Sequence, residues 1–310
     1  MSFTQPLTDS PVLFGEILFD RFPDGREVLG GAPFNVAWHL RGFGLDPVMI
    51  SRIGKDSRGE EIRRIMATWG MKTSHVEVDE LYPTGCVIAR IRSGEPEFLI
   101  EPHQAYDRIG SGVDHAHPDL DRAMVLYHGT LALRGDASWQ TLRRIREGGN
   151  VPAFVDVNLR PPWWIPERTE WCLDNARWVK LNSGELAELT GMEAGGEVAC
   201  VEAAMKLAAS RSIECVIVTR GDQGAILVGA DGLQARTDAV PVPEVVDTVG
   251  AGDGFSAVAI LGLVQRWDPA RILERAGCFA AEICRMRGAT SADPALYRRH
   301  LEQWRKAGGE

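Results

Sequence analysis

Residues 247–254 read Asp-Thr-Val-Gly-Ala-Gly-Asp-Gly and run directly into a stretch, Phe255 to Val264, that is apolar nearly all round. That junction puts small residues and one carboxylate, Asp253, at the start of a helix buried in the centre of the molecule. The first amides of a helix have no partner inside it, so they point outward as donors to an anion. Glycines at 250 and 252 let a phosphate approach the backbone and permit angles that other residues avoid. An anion nest with one acid at its mouth suits phosphoryl transfer. A plain glycine-rich turn capping a core helix would have the same composition.

Two other glycine loops are excluded. A dinucleotide fingerprint needs glycine at 255, where Phe255 stands. A Walker A loop needs Gly-Lys followed by Ser or Thr, and the Gly54-Lys55 pair continues with Asp56.

The surrounding pattern supplies elements to hold such a nest. Val12 to Asp20 is an apolar run that reads as one buried strand. Gly30-Gly31-Ala-Pro33 leads into a helix over Phe34 to Leu40, with Gly42 and Gly44 as its stop. Val48 to Ile53 reads as a strand and Arg58 to Trp69 as an amphipathic helix. Thr84 to Arg92 alternates polar and apolar residues, and Phe98 to Ile100 follows a Ser-Gly-Glu-Pro turn, so this region predicts a hairpin laid over the main body. Further on, strands at 124–128, 153–157, 178–181 and 215–219 alternate with helices at 137–147, 167–175, 183–190 and 197–210. Continuous apolar strands separated by helices specify an α/β fold, a parallel sheet covered on both faces. Ligands collect beyond the carboxyl ends of such strands. His128, Asp156 to Arg160, Asn182 to Glu185 and Thr219 to Gly221 all fall there.

Composition is that of a globular chain: 310 residues, 45% hydrophobic and 25% charged. A net charge of −9 with no long basic run argues against nucleic acid as a partner. No stretch approaches the roughly 18 apolar residues of a membrane span, and Met1 to Pro11 does not read as a signal peptide. A cytoplasmic protein with no membrane partner is expected. The cysteines at 86, 172, 200, 215, 278 and 284 form no Cys-x-x-Cys pair and read as reduced core thiols. His115 and His117 read as a polar surface loop.

On these motifs the chain resembles the PfkB/ribokinase family of carbohydrate kinases. Asp247 to Asp253 is similar to the family's C-terminal signature, and Gly30-Gly31-Ala-Pro-Phe-Asn35-Val-Ala37, with Gly44, to its N-terminal one. Asn182-Ser-Gly-Glu185 resembles the family's Asn-x-x-Glu, and Thr219-Arg-Gly221-Asp-Gln-Gly224 its nucleotide loop. The resemblance covers essentially the whole chain. It implies a ribokinase-like three-layer sandwich with a central, mostly parallel sheet and a small β lid. It also implies one kinase domain over 1–310, with the lid inserted from roughly 20–29 and 73–105. The implied reaction is ATP-dependent phosphorylation of a sugar hydroxyl.

The implied roles follow the matching positions. The amides of Gly250, Ala251 and Gly252 form the anion hole, and Asp253 is the general base, kept ionised by the helix dipole. Asp20, Gly31 and Asn35 grip the sugar, joined by Asn158 and Arg160 from the Asp-x-Asn-x-Arg element. Asn182, Thr219, Gly221, Gly224 and Gly288 hold ATP. Glu185 serves Mg2+ through water, and Asp247 a monovalent cation such as K+. Plainer duties exist for each: a first-turn acid for Asp253, a strand-end turn for Asp20, a helix cap for Asn182 and Glu185, an ion pair for Arg160. Arg220 departs from the apolar residue usual in the nucleotide loop, and Arg285 and Arg287 stand where they would crowd the cation. Family likeness further implies a homodimer through the lid.

Tyr82-Pro-Thr-Gly85, His128 to Arg134 and Asp156 to Trp164 look like bacterial fructokinases. D-fructose therefore ranks first. Ketodeoxygluconate comes second, because Arg90 and Arg92 lack the aromatic partners a carboxylate-binding lid needs; ribose or a nucleoside comes third. Trp38 and Phe43 read as core packing. A silent sugar or nucleotide sensor is the non-enzymatic alternative, and the intact Asp253 loop speaks against it. A nicotinamide oxidoreductase is disfavoured by the failed fingerprint.

Overall fold

The apolar run from Val12 to Asp20 does not form the single strand expected of it. It splits into Pro11–Phe14 (β1) and Leu18–Arg21 (β2), which belong to different sheets. The break falls at Gly15, whose φ is 147°, and the Pro33 ring lies 2.6 Å from where a Cβ would stand. Only glycine fits there. The computed structural model describes residues 10–92, 95–110 and 122–307. The His115 and His117 loop and the Ser93-Gly94 turn lie outside the described residues.

The remaining strands are Glu27–Gly30 (β3), Val48–Gly54 (β4), Val76–Asp79 (β5), Gly85–Arg92 (β6), Glu95–Ile100 (β7), Val125–His128 (β8), Ala153–Asp156 (β9), Trp178–Asn182 (β10), Cys215–Thr219 (β11), Ala225–Gly229 (β12) and Gly232–Thr237 (β13). One sheet has the order β13-β12-β11-β10-β9-β8-β1-β4-β5. Its members from β5 to β11 run parallel, and β12 and β13 close one edge antiparallel. The lid is a separate sheet, β3-β2-β6-β7. Val76–Asp79, inside the 73–105 span expected to be lid, pairs instead in parallel with β4.

The helices are Ala32–Gly42 (α1), Ser57–Thr68 (α2), Asp136–Glu147 (α3), Pro166–Asp174 (α4), Ser183–Thr190 (α5), Glu197–Arg211 (α6), Ala251–Val264 (α7), Pro269–Ile283 (α8) and Pro294–Ala307 (α9). Apolar residues of α1, α2, α7, α8 and α9 share one core with Leu13, Tyr127, Phe154, Trp178 and Ile217 of the sheet. Those of α3, α4, α5 and α6 share another with Phe14, Leu126, Val155, Val179 and Val218. Alternate strand residues thus face opposite helical layers, and the result is a three-layer sandwich. Trp38 stacks on Trp69 at 4.8 Å and Phe43 packs edge-on to Phe279, core roles for both. All six cysteines are unpaired thiols, and four are buried.

One side chain ties the lid to the body. Asp56 caps α2 by accepting from the Gly59 amide at 2.8 Å, and it also accepts the Thr84 amide and hydroxyl at 2.8 and 2.7 Å. Burial opposes its ionisation, but these bonds outweigh it and hold its carboxyl below the usual range. Thr84 immediately precedes β6, so this capping carboxylate also fixes where the lid hairpin leaves the body. Asp56→Ala should cost about 1–2 kcal/mol, seen as a lower urea midpoint at unchanged slope. A midpoint equal to that of the parent protein would contradict this role.

Candidate active site

Gly250 caps α7 with φ at 81°, and a Cβ there would lie 2.3 Å from the Ala289 Cβ. The position therefore demands glycine twice over, by angle and by space. Its carbonyl accepts the Gly254 amide at 2.8 Å. The Ala251 amide leans on the Thr248 carbonyl at 3.3 Å, whereas those of Gly250, Gly252 and Asp253 have no acceptor among the described residues. With Ala251 in that weak turn bond, the open amides at this helix start are those of Gly250, Gly252 and Asp253, two of which belong to the Gly250, Ala251 and Gly252 set expected.

Asp253 is where an early and a late segment of the chain meet. Its Oδ2 accepts from Asn35 Nδ2 at 2.7 Å. A Cβ on Gly30 would lie 3.3 Å from Asp20 Oδ2 and 4.0 Å from that same Asn35 nitrogen, so the three side chains bound one corner. Gly31, at φ 106°, lies against Glu16: a Cβ there would be 2.6 Å from the Glu16 carbonyl oxygen. Glu16 Oε2 and Asn35 Oδ1 are buried without a partner.

This corner holds its acids uneasily. Burial pushes Asp253 up from 3.8 to about 6, with the Asn35 bond pulling the other way. Desolvation is the largest of these influences, and at about 6 the carboxyl is still mostly ionised at neutral pH, as a proton acceptor must be. Burial likewise raises Asp20 to about 6 and Glu16 to about 7. The charge of Arg160 opposes all three shifts. Arg160 is exposed, makes only a 3.4 Å bond to the Leu159 carbonyl, and has no carboxylate within ion-pair distance among the described residues. No surface ion pair forms among the described residues, and its charge acts on these three acids. Asn158, two residues earlier, takes the left-handed region at φ 42°.

Behind the nest lies a buried network. Lys180 Nζ donates to both oxygens of Asp156 at 3.0 Å, and Asp156 Oδ2 also accepts from Ser256 Oγ at 2.7 Å and Tyr127 OH at 3.2 Å. Ser256 sits one turn into α7, so this network locks the nest to β9 and β10. Lys180, Ser256 and Glu16 went unsingled in the sequence. The signal available was one lysine inside the apolar strand Trp178-Val-Lys-Leu and one acid in the run that follows Gly15.

The nucleotide-loop residues gather at neighbouring strand ends, where Asn182 pairs in register with Thr219. Asn182 Oδ1 accepts the Glu185 amide at 2.9 Å, while the two Glu185 oxygens accept the amides of Asn182 and Leu159, both at 2.8 Å. The helix-cap duty of Asn182 and Glu185 is thus real. Gly221 opens the turn after β11, and its carbonyl accepts the Gly224 amide at 3.2 Å. Arg220 is turned away, its guanidinium on Glu197 at 3.2 Å and on the Gln223 carbonyl at 2.9 Å. Asp247 accepts the amides of Val249 at 3.0 Å and Gly288 at 3.1 Å, tying the loop before the nest to the loop after α8. Arg285 pairs with Glu282 at 3.4 Å instead of crowding Asp247. His128 is buried, and desolvation takes it down to about 4, so it is a neutral core residue. A cavity of about 440 Å³ lined by Arg52, Tyr82, Arg108 and Arg144 contains none of these groups.

Open helix-start amides with an acid beside them, at the carboxyl edge of a mostly parallel sheet, are an arrangement that suits phosphoryl transfer. Residues 13–296 match the pfkB family carbohydrate kinases, and the chain belongs to that family. It is accordingly an ATP-dependent carbohydrate kinase. It is similar to fructokinase-1 of Oryza sativa subsp. japonica, 29% identical over 85% of each chain, and to the fructokinase of Klebsiella pneumoniae, 29% identical over 83% of this chain and 85% of that one. Aminoimidazole riboside kinase of Salmonella typhimurium is 27% identical over 86% of this chain and 84% of its own. Among solved structures, fructokinase from Vibrio cholerae O395, bound to fructose, ADP and calcium, superposes with a TM-score of 0.78 at 22% identity, over 94% of this chain and 99% of that one. The fold is the mostly parallel, helix-flanked sheet of these neighbours.

Gly250→Ala should disrupt the site from its backbone. We expect more than about 1 kcal/mol of lost stability, since alanine is strained at that angle, together with loss of most phosphoryl transfer. Unfolding curves and turnover measured side by side check this, and an active variant of parental stability would contradict it.

Proposed function

We propose that this kinase phosphorylates D-fructose to fructose 6-phosphate. The observation that carries the reading is the 2.7 Å bond between Asn35 and Asp253, which joins the sugar-gripping loop to the anion nest. Asp20 and Asn35 would take neighbouring hydroxyls of the sugar, with Gly31 leaving room for the ring and Asn158 and Arg160 closing one side. Asn182, Thr219, Gly221, Gly224 and Gly288 would line the nucleotide. The fructokinase names of two relatives at 29% identity support the choice of sugar. The aminoimidazole riboside kinase relative supports a riboside as the second reading, with ketodeoxygluconate a further acceptor to test.

In this mechanism the acceptor hydroxyl oxygen attacks the γ-phosphorus of ATP, and the bond from that phosphorus to the β-bridging oxygen breaks, releasing ADP. Asp253 takes the hydroxyl proton as the new bond forms. The amides of Gly250, Gly252 and Asp253, with Ala251 in the same turn, would stabilise the charge on the migrating group. The lid strands would exclude water and so protect ATP from hydrolysis. Glu185 spends both carboxylate oxygens on backbone amides, one bond each, which suits a partner for water around Mg2+ better than a direct ligand. Mg2+, when bound there, would neutralise charge on the phosphates. Asp247, with both oxygens on amides, would order the nest loop around a monovalent cation such as K+. A second copy would pair through the lid's edge strands, β3 and β7.

Turnover and stability should answer pH in opposite directions. Asp253 must be ionised to accept a proton, so kcat/KM should fall as pH drops through about 6. Asp253, Asp20 and Glu16 sit above their unfolded values, so the stability they contribute is fully present below those values and is lost as pH rises through about 6 to 7. Lowering the pH from about 7.5 to about 5 should then raise their contribution to stability while activity declines. Melting and kinetics over that range check both trends, and a flat activity profile would contradict the base. A sugar panel at fixed Mg-ATP tests the acceptor: fructose should lead, and a preference for a riboside would favour the second reading. Silence with every sugar would indicate a sensor. Asp253→Asn should keep sugar and ATP binding by calorimetry yet lose on the order of 10³ in kcat.

A further inference from the structure

Lys180 has no part in the reaction described so far, and it is the one charged side chain of β10. Its strand carries it on the same face as Tyr127 and Asp156, directly beneath the start of α7. Two of its three ammonium hydrogens go to Asp156. Among the described residues, no third acceptor takes the remaining one. The same nitrogen lies 3.3 Å from the point where a Cβ on Gly252 would stand, and Gly252 opens to solvent. Lys180 itself keeps 8% of its surface exposed. The spare hydrogen therefore reaches the floor of the amide nest.

We propose that Lys180 is a catalytic residue that donates directly to the transferred phosphoryl group, adding a full positive charge beneath the nest. This rests on the reading of 250–253 as the phosphoryl site. A lysine buried only to glue strands to a helix would need one good carboxylate contact. Here Asp156 is itself held from two further sides, by Ser256 and Tyr127, which fixes the ammonium in one position. A preorganised cation costs no reorganisation as charge develops, which is the condition for electrostatic catalysis. Burial alone would discharge the ammonium, but the neighbouring Asp156 and Asp253 charges overcome it and keep Lys180 protonated. Glycine at 252 leaves the line from Nζ to the nest free of any side chain.

The test compares Lys180→Met with the parent enzyme by steady-state kinetics and by calorimetry with ADP, with and without aluminium fluoride, in saturating sugar. Aluminium fluoride stands for the phosphoryl group in flight. The expected result is a fall in kcat of about 10²–10³-fold. Sugar KM and the affinity for ADP alone should stay within about threefold, and the extra affinity conferred by aluminium fluoride should be lost. A folded variant with kcat within about threefold of the parent overturns the proposal. So does equal weakening of ADP with and without aluminium fluoride. If the single change leaves Asp156 unpaired and the chain unfolded, the double variant Lys180→Met with Asp156→Asn is read by the same criteria. Failure of both to fold makes the pair structural and also overturns the proposal. An inactive parent enzyme would defeat the reading of the whole site, whereas an active parent with active variants defeats Lys180 alone.

Discussion

The structure depends on bringing carboxylates into a poorly solvated corner and keeping them in register with an open helix start. The Asn35–Asp253 bond joins residues 218 positions apart, so it forms only when the first and last thirds of the chain are both folded. α1 and α7 pack in the same core, which turns a long-range contact into a rigid one. Gly250 and Gly31 make the approach feasible, since a Cβ on either would meet Ala289 or Glu16.

Holding that corner has an energetic consequence. Raising Asp253 from 3.8 to about 6 corresponds to about 3 kcal/mol disfavouring its ionised form. Glu16 and Asp20 share the strain. The offsetting charges are few, Arg160 at the rim and Lys180 below, and the rest comes from the apolar cores on either face of the sheet. A base poised near neutrality is what proton transfer from an alcohol requires. Under the role proposed for Asp253 this cost is tied to the function, and the scaffold carries it.

Much of this was legible in the sequence because it is local. The 247–254 run announces a helix start by composition, and the alternation of apolar strands and helices announces a sheet covered on both faces. What escaped was tertiary. Gly15 splits an unbroken apolar run between two sheets because of where Pro33 packs, which no periodicity records. Val76–Asp79 joins the main sheet although its neighbours build the lid. Lys180 looks like an interruption in a strand until Asp156, itself held by Ser256, pairs with it. Arg220 looks like an intruder in the nucleotide loop until Glu197 draws it aside. Glu185 shows why motif and cap need not compete, since its two oxygens accept one amide each, one at the helix start and one from the loop after β9.

The central claim is that the amides around Gly252 hold the migrating phosphoryl group while the Asp253 carboxylate takes the proton of the hydroxyl that attacks it. A crystal structure with a non-hydrolysable ATP analogue and fructose tests it most directly. The account predicts the terminal phosphate within about 3 Å of those amides, with one fructose hydroxyl on the Asp253 carboxylate and in line with the phosphorus. A terminal phosphate bound elsewhere, or a sugar that leaves Asp253 untouched, would contradict it.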